Sequence, residues 1–223
     1  MCLLLAELFE QTGQYEPITT RIRNILREYK EGEGIFKELI QNADDAGAST
    51  VKFLVDWRTG PTGSLVSPGM AECQGPALWA YNNAVFTDED FVNINKLAGE
   101  TKVEDISKIG RFGLGFNAVY HLTDVPSFIS REHLVIFDPN IHHLQRHIKD
   151  RSRPGIHINL AEKPEYLTRY HDQFQPYNGV FGCNTVQTRG RCYYNGTLFR
   201  FPFRTTFQAR SSDISKTVYD RNK

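Results

Sequence analysis

Two clusters of residues, some seventy positions apart, carry groups fit for one piece of chemistry. The first is Glu38, Asn42 and Asp45, in the run Glu38-Leu39-Ile40-Gln41-Asn42-Ala43-Asp44-Asp45-Ala46-Gly47. Successive residues of an α-helix turn by about 100°, so these three fall within about 60° of one another on one face. A carboxylate and an amide one turn apart suit a hard cation and an activated water. Magnesium takes oxygen ligands and keeps several waters, and the Asn42 carbonyl is one such ligand. A carboxylate such as Glu38 then orients and deprotonates the attacking water. The second cluster is Gly110, Gly113 and Gly115, in Gly110-Arg111-Phe112-Gly113-Leu114-Gly115-Phe116. Glycines just ahead of a helix expose amide N–H groups to an anion such as phosphate. Together the clusters predict a pocket for a magnesium nucleotide. Each alone has a plainer reading: a helix with an acidic solvent face, and a flexible turn.

The elements that must position these groups follow from pattern. Ile18, Ile22, Ile25, Leu26 and Tyr29 recur at helical spacing behind Pro17, which predicts a first helix. A second helix runs from about residue 35 to 46 and ends at Gly47 as its C′ glycine. The stretch 51–57 alternates like a strand, 58–76 is a Gly/Pro loop, and 77–81 is a second strand. Thr87 and Asp90 form a capping box for a helix through Phe91 and Ile94. A helix is predicted over 115–122, a hairpin over 127–130 and 133–137, and a helix near 163–172. The histidine-rich basic stretch 139–160 reads as surface. A strand is predicted over 197–204, where Pro202 favours an edge position. Beyond Thr205 the chain turns polar. Helices first and then mixed elements favour α+β over a doubly wound sheet.

Several chemistries are excluded or bland. No G-x-x-x-x-G-K-[ST] occurs, and the glycine spacing is not the dinucleotide fingerprint. No G-x-S-x-G anchors a serine nucleophile, and no C-x-x-C pair marks a structural zinc site. His142, His143 and His147 have no acidic or cysteine partner nearby and read as solvent-exposed rather than metal-binding. The chain has 223 residues with 26 Lys+Arg against 26 Asp+Glu, so no net field draws it to nucleic acid or to an anionic membrane. Four cysteines in this length read as reduced thiols of a cytoplasmic chain. Glu7 and Glu10 break the apolar N-terminus, which reads as a helix rather than a signal peptide.

The quoted residues also carry a resemblance. The run 36–48 resembles the first nucleotide-binding box of the superfamily that unites gyrase, heat-shock protein ninety, histidine kinases and MutL. The run 109–120 resembles its glycine box after the lid. Asn195-Gly196-Thr197-Leu198-Phe199-Arg200 resembles the strand beside its adenine pocket. Gly75-Pro76-Ala77-Leu78-Trp79-Ala80-Tyr81-Asn82-Asn83 and Gly99-Glu100-Thr101-Lys102 are similar to chaperone-like repeat domains within it. The resemblance spans roughly residues 13–205.

It implies a Bergerat-type α/β two-layer sandwich: a mixed, mostly antiparallel sheet with helices on one face. Residues 1–16 are then an extension, 17–205 the ATP-binding domain, and 206–223 a polar tail at its unfinished end. ATP and Mg2+ are the implied cofactors. Glu38 is the implied general base, Asn42 the magnesium ligand and Asp45 a polar wall. Gly110, Gly113, Gly115 and Phe116 line the phosphates, and Thr197 lies near the adenine. Residues 96–109 are the implied lid, from which Lys96 or Lys102 touches a phosphate. The implied activity is that of a chaperone-type module whose partners are protein clients and other chaperones. Hydrolysis by this segment alone is expected to be slow, because the related chaperones place a catalytic arginine on a following domain.

One departure stands out. The family's Asp-x-Gly-x-Gly box reads Asn82-Asn83-Ala84-Val85-Phe86 here. Asn82 accepts from an adenine amino group only through a neutral oxygen, which is weaker than a carboxylate. The alternative is therefore a scaffold or interaction module that keeps the fold and loses the nucleotide. A histidine-kinase-like phosphotransferase is a weaker third reading, since no phosphoacceptor helix pair precedes residue 35.

Overall fold

The computed structural model describes residue 13 and residues 16–28, 32–95, 115–186 and 192–221. Six strands form one sheet, in the order β1-β2-β6-β3-β4-β5. They are β1 (Val51–Asp56), β2 (Ala77–Asn82), β3 (Ser127–Arg131), β4 (His133–Phe137), β5 (Gly155–Asn159) and β6 (Tyr194–Pro202). Every pairing is antiparallel, so this α/β fold has no parallel pair among its described strands.

Side chains alternate across the strands and build two cores. Leu78 and Ala80 of β2, Phe128 of β3, Val135 of β4 and Phe199 and Phe201 of β6 face one side. There they meet Ile22 and Leu26 of α1 (Ile18–Glu28), Ile35 and Leu39 of α2 (Glu33–Asp45), and the 3₁₀ turn Gly115–His121. Trp79, Ile129, Leu134, Ile136 and Leu198 face the opposite side. That side is covered too, by the 66–73 loop and by the segment that holds α4 (Glu165–Arg169) and α5 (His171–Phe174). The two long helices share one face as expected. The second face is closed by short helices and loop rather than left open.

Local signals account for the element ends. Gly47 has φ +74° and its N–H reaches the Asp44 carbonyl at 2.8 Å, the left-handed residue that closes α2. Thr87 opens α3 (Asp88–Asn93): its Oγ accepts from Asp90 N at 3.1 Å, while Asp90 Oδ2 accepts from Thr87 N at 2.8 Å. Thr87→Ala is expected to cost about 1 kcal/mol, read as a lower urea midpoint at unchanged slope.

Five expectations change. The strand that ends at Pro202 is central, between β2 and β3. Pro202 is its last residue, where a missing N–H interrupts no inner ladder. The basic stretch 139–160 is not all surface: it contains edge strand β5 and the fully buried Leu144. His143 is buried, and its Nδ1 lies 2.9 Å from the Gly69 carbonyl, while His147 Nε2 lies 2.7 Å from the Val66 carbonyl. These imidazoles tie down the 66–73 loop. The segment after the glycines is a 3₁₀ turn rather than an α-helix. Past Thr205 the chain forms α6 (Thr206–Ser211) behind a second capping box, Thr205 with Gln208. Ser212 and Ile214 beyond it are buried.

The buried guanidinium of Arg204 ties this last segment to the body. It donates to Asp124 Oδ1 from Nε at 2.9 Å and from Nη2 at 2.8 Å. It also donates to the carbonyls of Tyr120, His121 and Thr217. Asp124 Oδ1 in turn accepts from Ser212 Oγ at 2.9 Å.

Candidate functional site

α2, the ends of β2 and β6, the loop 83–86 and the 3₁₀ turn enclose one cavity. Its wall holds Asn42, Asn82, Phe116 and Thr197 among apolar neighbours that include Leu39, Val51, Ala80, Phe86 and Phe199. The space, its open mouth included, is about 610 Å³. A mostly apolar wall with few polar groups is the usual make-up of a small-ligand site.

Helical spacing brings Asn42 to the wall one turn after Glu38. Glu38 itself is half-buried and approaches the 3₁₀ turn: a Cβ built on Gly115 would run into Glu38 Oε2. The acidic helix and the end of the glycine run are thus in contact. Asp45, the last residue of α2, is half-buried and is not part of the cavity wall. The Phe116 ring packs 5.8 Å from Phe199, centroid to centroid, and forms apolar wall. Lys96, Lys102, Gly110, Gly113 and the expected lid 96–109 lie outside the described residues.

The floor is a hydrogen-bonded weave. Asn82 and Thr197 are direct partners on β2 and β6. Thr197 Oγ1 donates to the Ala84 carbonyl at 2.8 Å and lies 3.1 Å from Ser130 Oγ. Ser130 Oγ donates to the Gly196 carbonyl and accepts from Phe86 N, both at 2.9 Å. Asn82 Oδ1 accepts from Ala84 N at 3.0 Å. Within an amide side chain only the oxygen accepts from an N–H, so that bond assigns the amide's orientation and leaves Nδ2 on the other fork. Asn83 turns elsewhere: its Oδ1 accepts from Ser49 N and Thr50 N, and its Nδ2 donates to Ser49 Oγ, all at 2.9 Å.

Sequence reasoning missed Ser130. Its role depends on β3 lying beside β6, with Ser130 opposite Thr197, a long-range register with no local signature. It also missed the apolar wall residues, which read as ordinary core.

Comparison with known proteins agrees with the motifs. The model of the Sacsin domain family matches residues 15–223. Human Sacsin is 52% identical over 215 residues, which cover 95% of this chain and 5% of that protein. The chain therefore spans a small part of the relative it matches. With the family model matched along nearly its whole length, the chain belongs to the Sacsin domain family.

Proposed function

We propose that this domain binds a magnesium nucleotide, with ATP as the family pattern implies, in the cavity between α2 and the sheet. We propose further that it serves as a chaperone-type module whose own hydrolysis is slow at most. One observation carries the reading: Asn42, Asn82, Phe116 and Thr197, from four separate parts of the chain, line the same cavity. Glu38 beside Gly115 supports it. The donor set suits magnesium held by one protein oxygen, Asn42, with phosphate oxygens and waters filling the other positions. When bound, the ion would supply charge neutralisation at the phosphates. Glu38 is the group that would hold a water and take its proton. Asn82 and the apolar wall would seat the base. The bond from Ala84 N to Asn82 Oδ1 uses one of that oxygen's two lone pairs, which weakens its grip on an amino group.

Calorimetric titration with magnesium-ATP tests this. Asn42→Ala is expected to weaken binding several-fold in magnesium and to change it little in EDTA. Equal heats for both proteins in magnesium would remove Asn42 from the site. No heat for either would favour a scaffold module without nucleotide.

A further inference from the structure

A second site lies at the far edge of the sheet, away from the cavity wall. β4 and β5 bring two imidazoles together. His133 pairs in register with Asn159, and His157 pairs with Val135, so the two histidines sit diagonally on one face of adjacent strands. His133 Nδ1 and His157 Nε2 are 3.0 Å apart. Their ring centroids are 4.8 Å apart, with planes at 61°. A head-on N–H···N pair at that spacing would hold its centroids about 5.3 Å apart. At least one ring is therefore tilted off the line between the nitrogens, and the N–H···N hydrogen bond between them is bent.

The surroundings favour metal ligation. Glu132 Oε1 lies 3.6 Å from His133 Nε2. At that separation the carboxylate favours the tautomer with its proton on Nε2 and Nδ1 bare, the arrangement found behind metal-bound imidazoles. Phe91 holds both rings, edge-on to His133 with centroids 4.7 Å apart and stacked on His157 at 5.3 Å.

We propose that His133 and His157 form a two-imidazole site for a divalent transition-metal ion of the copper(II) or nickel(II) class. At a metal–nitrogen distance of about 2.05 Å, a 3.0 Å separation subtends about 94° at the ion. That is a cis angle of tetragonal or octahedral coordination rather than the wider tetrahedral angle of zinc. On binding, the His157 ring proton shifts from Nε2 to Nδ1, so no net proton is released. Among the described residues no group of three or more His, Cys, Asp or Glu could hold a metal, so water fills the ion's remaining positions.

The test is calorimetric titration of the tag-free chain with nickel chloride and, separately, zinc chloride. One saturable nickel site is expected, tighter than zinc. His157 is changed first, because it lies exposed on the edge strand. His157→Asn is expected to weaken nickel binding at least tenfold while the protein stays folded, with a small fall in melting temperature from the lost packing on Phe91, and His133→Gln likewise. His142→Asn and His171→Asn are expected to bind as the wild type does. With copper(II), nitrogen splitting in the paramagnetic resonance spectrum should count two equivalent-type ligands and fall to one in His157→Asn. No saturable nickel binding, zinc tighter than nickel, or wild-type affinity in His157→Asn would each overturn the assignment.

Discussion

Arg204→Ala is expected to lower unfolding stability by about 3–5 kcal/mol, the cost of breaking a buried pair and leaving one charge behind. In a chain of this size that is a fall in melting temperature of about 10 °C. The reason is an unusually complete inventory. The guanidinium is 1% exposed, and its donors reach Asp124, Tyr120, His121 and Thr217. Asp124 is 3% exposed and would lose its buried cationic partner, with Ser212 Oγ as its remaining side-chain donor among the contacts described above. Removing both charges, in Arg204→Met with Asp124→Leu, should cost less than Arg204→Ala alone, because no buried charge is then stranded, although the carbonyls of Tyr120, His121 and Thr217 lose their donor in both variants. Urea unfolding of the three proteins measures both quantities. If Arg204→Ala costs under about 1 kcal/mol, the interaction is solvated and the assignment is wrong.

Asn82→Asp is expected to move two quantities in opposite directions. One carboxylate oxygen keeps the bond from Ala84 N, and the other replaces Nδ2 on the fork that the amide nitrogen now occupies. An adenine amino group, which Asn82 serves only through its shared neutral Oδ1, then meets a charged acceptor. Hydrogen bonds to charged groups contribute about 1.5–3 kcal/mol against about 0.5–1.5 for neutral ones, so ATP should bind about tenfold more tightly. Without ligand the same carboxylate sits at a position only 8% exposed, and stability should fall by about 1–3 kcal/mol. Calorimetry reads the first effect and thermal melting the second. Unchanged ATP affinity alongside a lowered melting temperature would remove Asn82 from the base-binding edge and leave it a structural residue.

What could be read from the sequence was what depends on neighbours within a turn or two. The end of α2 at Gly47, the capping box at Thr87 and the hairpin of β3 and β4 all rest on short-range rules. So does the spacing that sends Asn42 to the cavity. The second capping box, Thr205 with Gln208, was equally local, and the polar composition around it hid the signal. β5 alternates Ile156 and Ile158, yet the basic residues before it masked a short edge strand. The Gly115–His121 turn buries every residue from Phe116 to His121. With no polar face, its pattern could not separate a 3₁₀ turn from an α-helix. Pro202 misled because its rule concerns strand interiors, and this proline closes a central strand. Within the site, Asn42 stood out by type and spacing, and Asn82 and Thr197 through the family resemblance. Ser130 did not, since its partners lie 44 and 66 residues away.

Asn83 gives the cavity a mechanical property. Its one amide fastens the backbone that leaves α2 to the backbone that leaves β2, through three bonds of 2.9 Å. The helix bearing Glu38 and Asn42 is therefore riveted to the strand bearing Asn82, and those two walls travel as a block. Any widening or narrowing of the mouth has to come from the opposite lip, where α3 contributes Asp90 and Ile94 follows it. A spin label or fluorophore pair across Asn42 and Ile94 would register such breathing, while a pair across Asn42 and Asn82 would stay still.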